Sequence, residues 1–152
     1  MLTTDPKPSL YEQDFYLWIQ RTIELLKKGK LEQLDLENLI EEIDSMGKSQ
    51  RKELKTRLTV LIEHLLKLQY WTTEKEYNVR GWLNTIVEQR RQITYILADS
   101  PSLKPVLIDI FLDCYQDARS DTLRKYQLPA TLFPQESPFC LLEVLDPDFI
   151  PV

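Results

Sequence analysis

The chain has 152 residues, which is enough for one domain with a real core and too few for two ordinary domains. Hydrophobic residues make up 43% and charged residues 28% of the chain, a balance that excludes an intrinsically disordered protein. The net charge of -5 disfavours nucleic acid as a partner, because proteins that bind nucleic acid carry basic surfaces.

Two further classes are excluded by the cysteines and by the apolar runs. Cys114 and Cys140 have neither the number nor the spacing of a disulfide framework or a zinc site. We therefore expect two reduced thiols, as in the cytoplasm. The first residues contain acids and prolines where a signal peptide would have an apolar segment. No apolar run approaches the roughly 20 residues that cross a bilayer, so we expect no membrane association.

The first predicted helix covers residues 10–28. Ser9 followed three residues later by Glu12 is the capping-box pattern, and Gly29 supplies the stop. Residues 1–8 precede this helix, and we expect them to be flexible.

The second predicted helix begins after Asp35, its N-cap, and is long. Its apolar residues recur at steps of three and four: Leu36, Leu39, Ile40, Ile43, Met46, Leu54, Leu58, Leu61, Leu65 and Leu68. The register continues through Gly47, which favours one helix, straight or kinked, of roughly 54 Å. Two helices broken at Gly47 are the alternative.

The rest of the chain predicts two more helices and a tail. We expect a polar connection over residues 72–81, a helix over residues 81–98, a break at residues 99–102 and a helix over residues 103–126. Residues 128–152, rich in proline, predict an irregular tail with a short helix opened by Ser137-Pro138. The fold class is therefore all-α, with one helical-bundle-like domain over residues 1–152.

Several polar residues lie at the spacing of the apolar faces, where a groove between helices would form: Asp14, Glu42, His64 and Arg90. Glu41, Glu42 and Asp44 are candidate ligands for a hard cation such as Mg²⁺ or Mn²⁺, which prefers carboxylate oxygens. Arg90 would clamp a phosphate, and His64 would act as a general base. Together they would form the catalytic site of a metal-dependent phosphohydrolase or a related enzyme, although nothing in the sequence requires a cofactor.

The same residues also have a structural interpretation. Adjacent glutamates in a helix usually form a solvated edge, and one histidine beside an apolar stripe is usually a packing residue. An Arg–carboxylate pair would set the register of a bundle without catalysis. Asp14, Trp18, Trp71 and Trp82 are expected in an interface or core cluster; Trp18 and Trp82 fit the core, and Trp71 fits either place.

Five ordered blocks carry a resemblance to a known family: YEQDFYLWIQRTIELLKKGK, DLENLIEEIDSMGKSQRKEL, RLTVLIEHLLKLQYW, WLNTIVEQRRQI and DSPSLKP. They resemble the domain of unknown function family twenty-nine, short helical proteins abundant in cyanobacteria. The resemblance covers nearly the whole chain and implies a single, all-helical, cytoplasmic domain from a cyanobacterium. It implies no activity. The blocks contain most of the candidate residues above, consistent with one cluster.

Two functions follow as hypotheses from different classes. The primary hypothesis is a protein-interaction or structural module that binds a protein partner or forms a homo-oligomer. A helix of such length would extend beyond its neighbours and leave apolar surface for a partner. The alternative is the metal-dependent phosphohydrolase that uses the carboxylates, His64 and Arg90.

Overall fold

A computed structural model describes residues 7–152, and this part of the chain is all-helical, without a strand. Its α-helices are α1 (Leu10–Gln13), α2 (Phe15–Lys27), α3 (Leu36–Tyr70), α4 (Thr72–Asp99), α5 (Lys104–Lys125) and α6 (Leu141–Leu145). The expected fold class is confirmed. The expectation of flexibility over residues 1–8 falls mostly on residues 1–6, which lie outside the described residues.

The chain divides into two compact units, Met1–Lys48 and Ser49–Val152. The described part of the first unit holds α1, α2 and the first 13 residues of α3. The second unit holds the remainder of α3 together with α4, α5, α6 and the tail. The expectation of a single domain over the whole chain stays a prediction, and each unit is described by itself.

The helix expected over residues 10–28 is in fact two helices that meet at Asp14. Ser9 caps α1 as predicted, and its Oγ accepts a hydrogen bond from the Glu12 amide at 3.4 Å. Asp14 leaves the helical conformation, and its carboxylate accepts a hydrogen bond from the Leu17 amide at 3.0 Å. An aspartate that caps the following turn satisfies a free amide of α2, so the chain starts a new helix there.

The end of α2 and the start of α3 follow the sequence signals. Gly29 adopts a positive φ of 67°, and the Lys30 amide donates back to the Leu25 carbonyl, so the glycine closes α2. A short 3₁₀ turn, Leu31–Gln33, leads to Asp35. The Asp35 carboxylate accepts a hydrogen bond from the Asn38 amide at 3.3 Å and caps α3. α3 then runs unbroken through Gly47, so the one-helix interpretation is confirmed.

The polar connection expected over residues 72–81 was wrong. Helix α4 starts at Thr72, and Trp71 alone separates it from α3. Residues 72–80 contain no glycine or proline, and Glu74, Lys75, Glu76 and Arg80 are good helix formers. Their polarity indicates an exposed helix turn instead of a loop.

The second half of the chain otherwise follows its predicted boundaries. Pro101–Leu103 forms a 3₁₀ turn between α4 and α5, and a proline sits in the first turn of α5. Gln127, in the left-handed region with φ of 53°, ends that helix. The tail contains α6, whose N-cap is Cys140, two residues after the predicted Ser137-Pro138 start.

The core of the described chain lies in the second unit. α3 contributes leucines at the predicted spacing, and each of them is almost completely buried: Leu54, Leu58, Leu61, Leu65 and Leu68. Side chains from α4, α5 and the tail cover this stripe, among them Ile86, Phe111, Tyr115 and Phe133. This packing makes the second unit a helical bundle closed by its own tail.

Candidate functional site

The first unit is held together by a small aromatic cluster and one polar bond. Trp18, on α2, is buried, and its ring packs against Tyr11 at 4.9 Å and Phe15 at 5.9 Å between centroids. The Tyr11 hydroxyl donates a hydrogen bond to the Glu42 carboxylate on α3. That bond, together with desolvation, raises the pKa of Tyr11 to about 12. At the start of α3, Asp35 lines a cavity with Thr22 and Leu25 of α2, whereas Glu42, further along α3, meets Tyr11 ahead of α2. The two helices therefore run in opposite directions, as a hairpin.

One stripe of α2 borders this cluster and is apolar. Phe15, Ile19, Ile23 and Leu26 follow one another at steps of three and four, so they share a helix face. Phe15, Ile23 and Leu26 are each more than two fifths exposed, and Ile19 is half-buried. Most of this stripe is therefore exposed in the described part of the chain.

A second apolar stripe lies on the part of α3 that belongs to the first unit. Leu36, Ile40, Ile43 and Met46 follow the same spacing and belong to the apolar stripe predicted for α3. Ile40 is 64% exposed and Met46 is 71% exposed. The side of α3 that meets α1 and α2 carries Glu42 and Asp35.

The two stripes lie on the same side of the hairpin. Viewed along each helix from its N-terminus, the centre of the stripe lies about 90° clockwise from the residues that face the other helix, and Phe15 and Met46 lie at its inner edge. Trp18, Thr22 and Leu25 face inward on α2, and Asp35 lies beside them. Because the helices are antiparallel, the same rotation brings both stripes to one side. We call the eight residues of the two stripes the hairpin face.

Acidic side chains border the hairpin face along α3. Glu37, Glu41 and Asp44 are all exposed, and they lie on the outer edge of the stripe by helical spacing. Asp44 pairs with Lys48 at 2.8 Å. On α2 the corresponding outer edge carries Gln20 and Lys27. An apolar centre with a polar border is the arrangement of a protein interface.

The three carboxylates considered as metal ligands have these separate environments. Glu42 accepts the Tyr11 hydrogen bond, Glu41 is exposed, and Asp44 forms the surface pair with Lys48. Within residues 7–152 no group of three His, Cys, Asp or Glu side chains is arranged to hold a metal ion. The carboxylates belong to the first unit, whereas His64 and Arg90 belong to the second.

His64 lies half-buried on α3, and its Nδ1 is 2.8 Å from the Val60 carbonyl oxygen. Burial lowers the pKa of His64 below its ordinary value of 6.5, an effect that outweighs the bond to Val60. Glu63 and Lys67 form an ion pair of 3.0 Å beside it, and both are largely buried. Lys67 also donates to the Tyr126 hydroxyl at 3.2 Å. This group links α3 to the end of α5.

Arg90 binds the tail through its planar guanidinium. Nε donates to the Val144 carbonyl at 2.9 Å, and Nη2 donates to the carbonyl oxygens of Phe149 at 2.8 Å and Glu143 at 3.4 Å. Arg90 is 94% buried, since 6% of its surface remains accessible, and burial lowers its pKa. The fork geometry expected for a phosphate is used on main-chain carbonyls.

The remaining candidates have packing or capping roles. Trp82 is buried in the core of the second unit, and Trp71 stacks on it with centroids 5.9 Å apart. Trp71 also contacts Tyr126, so it closes the end of the bundle. Trp18 is buried in the first unit. Asp14 is exposed and caps α2.

The sequence patterns did not predict two features of the site. The pairing of Tyr11 with Glu42 joins residues 31 positions apart, and no local pattern signals it. The burial of Lys67 was also missed, although Glu63 four residues earlier is the spacing of a helical ion pair and was the available signal.

Comparison with known proteins identifies the family of the chain. Neither the curated proteins nor the solved structures contain a significant match to the chain. Across residues 7–152 none of the helices combines the length and the apolar character needed to cross a bilayer. The family model described as "Domain of unknown function DUF29" matches residues 10–150, nearly the full length. The chain belongs to the DUF29 family.

Proposed function

We propose that this protein is a protein-interaction module and that its hairpin face is the surface that binds the partner. The observation that carries the proposal is a face of eight apolar residues at helical spacing on one side of two antiparallel helices, seven of them exposed and Ile19 half-buried. No described segment of the first unit packs on most of these residues, so folding of the unit leaves them exposed. A partner that packs on the hairpin face would supply that cover.

The size of the hairpin face supports a stable contact. Seven of its eight side chains are exposed, from 41% at Ile23 to 71% at Met46. A contiguous exposed apolar patch on a soluble protein usually marks an interaction site. Covering it removes apolar surface from water, which is the main favourable contribution to protein association.

The experiment that tests this function places a photo-crosslinking amino acid at Ile40 of the full chain in the protein's own cells. The matched control is the same amino acid at Ile108, which is 68% exposed on α5, against 64% for Ile40. We expect a discrete protein adduct from position 40 that is absent or much weaker from position 108. Equal labelling at both positions, or no adduct at position 40, would contradict the proposal.

A further inference from the structure

We infer that the partner on the hairpin face is a second copy of this chain, so that α2 and α3 of two chains form a four-helix bundle. The inference rests on the proposed function and names its partner. Two antiparallel helices with apolar residues on one side are half of such a bundle. A twofold axis covers both hairpins with one surface, because each copy presents the patch that the other needs.

The extent of the hairpin face fits this assembly. Its stripes run over residues 15–26 of α2 and 36–46 of α3, and a polar border adds to them. A standard protein interface takes roughly 800 Å² from each partner, an extent that suits a face of two helices. A second hairpin has the same length and the same two stripes, so it covers all eight residues, whereas a single partner helix would cover one groove.

The border charges select one of the two possible pairings. Packing α3 on the partner copy's α3 would bring two acidic edges together, each with Glu37, Glu41 and Asp44, and like charges repel. Packing α2 on the partner copy's α3 avoids this clash. In the antiparallel arrangement the C-terminal end of α2 lies beside the N-terminal end of the other copy's α3. Lys27 of one chain then lies close to Glu37 of the other.

The first test is the mass of the purified chain by light scattering at micromolar concentration. We expect twice the 18.0 kDa of one chain for the unmodified protein. Ile40→Glu buries a charge in the centre of the bundle and should weaken the dimer by about 30-fold or more, the effect of losing one interface hot spot. Because Ile40 is exposed in the single chain, the variant should keep its helical circular dichroism.

The matched control is Ile108→Glu, which adds the same charge at an equally exposed isoleucine in the second unit. We expect it to remain a dimer. A monomeric unmodified chain, or a dimer that Ile108→Glu disrupts and Ile40→Glu leaves intact, would overturn the inference.

The second test examines the pairing by charge exchange. Lys27→Glu and Glu37→Lys should each weaken the dimer, and the double variant should recover most of the loss because the opposite charges again face each other. Additive losses in the double variant would contradict the arrangement of α2 on α3.

The outcomes separate this inference from the proposed function. If the crosslink at Ile40 joins a different protein and the purified chain is monomeric, the interaction function stands and the second copy is wrong. If position 40 gives no adduct and the chain is monomeric, both fail. An adduct of two copies of this chain, together with a dimer lost in Ile40→Glu, supports both.

Discussion

Arg90 illustrates how one side chain serves either chemistry or structure according to what surrounds it. Its spacing on α4 predicted a place in a groove between helices, and Arg90 is buried. Three main-chain carbonyls of the tail accept its hydrogen bonds. These contacts join residues more than 50 positions apart, so the local sequence contains no sign of them.

Replacing Arg90 with methionine should therefore destabilise the second unit. The change keeps an apolar stem but leaves three carbonyls without a charged donor, at a cost of about 3 kcal/mol in the free energy of unfolding. Arg90→Lys should recover little, because an ammonium lacks the planar fork. Urea unfolding measures both. The control is Arg91→Met at the exposed neighbouring position, which should change the free energy by about 0.5 kcal/mol or less.

His64 should make the stability depend on pH. Burial favours the neutral ring, so the pKa in the folded chain lies below the unfolded value near 6.5. The unfolded chain then binds more protons, and stability falls as pH drops through 6.5 towards the lowered folded pKa; above 6.5 this contribution is constant. The neighbouring charges are Glu63, Lys67 and Lys125.

The pH effect can be isolated with His64→Gln, since this is the only histidine of the chain. As the pH is lowered from 7.5 to 5.5, the unmodified protein should lose unfolding free energy relative to the variant, which has no titrating ring at this position. A difference that stays constant over that interval would show that the His64 pKa is the same in both states.

At the scale of elements, the residues around a glycine decide whether a helix ends there. Gly29 and Gly47 have equal intrinsic freedom, but only Gly29 stands where the chain must turn, with a positive φ. Gly47 is flanked by strong helix signals on both sides, so α3 continues through it. The sequence register across Gly47 predicted this correctly.

The two glycines should respond oppositely to alanine. Gly47→Ala should stabilise the protein by about 0.5–1 kcal/mol, because alanine is the better helix former and its added Cβ meets no atom within 4 Å. Gly29→Ala should destabilise it by about 1 kcal/mol, because alanine is strained at φ 67°. Thermal unfolding of both variants provides the comparison. A Gly47→Ala variant that is less stable than the unmodified protein would contradict a continuous helix at this position.

The error at residues 72–81 also belongs to this scale. A polar run without glycine or proline was assigned to a loop because its apolar period is absent. In the structure these residues form the first turns of α4. The core contacts of Trp82 anchor the helix, and the helix propensity of residues 72–80 is enough to extend it towards its N-terminus. Polarity indicates exposure, and exposure does not identify a loop.

At the scale of the molecule, the same apolar pattern of α3 is buried in the second unit and exposed in the first. α3 has the same spacing of apolar residues along its whole length. Residues 54–68 of the stripe are buried by α4, α5 and the tail, whereas Leu36, Ile40, Ile43 and Met46 are exposed in the first unit. The hairpin face is therefore exposed because no described part of the chain packs on most of it, and the proposed partner would cover it.

The alternative of a metal-dependent enzyme makes a separate prediction. We expect millimolar Mg²⁺ or Mn²⁺ to leave the melting temperature unchanged, because a ligand stabilises only where it binds the native state. Within residues 7–152 no group of three or more His, Cys, Asp or Glu side chains is arranged to hold a metal ion. A metal-dependent rise in melting temperature that is lost in both Glu42→Gln and His64→Ala would establish the enzyme instead.

The sequence by itself determined the all-helical class, the caps at Ser9 and Asp35, the stop at Gly29 and the continuity of α3. These features follow from local periodicity, propensity and capping, which act within a few residues. Only the tertiary structure decided the break at Asp14, the tail bound to Arg90 and the exposure of the hairpin face. The physical reason is that a periodic pattern shows which side of a helix is apolar, while distant parts of the chain, or another chain, decide whether that side is covered.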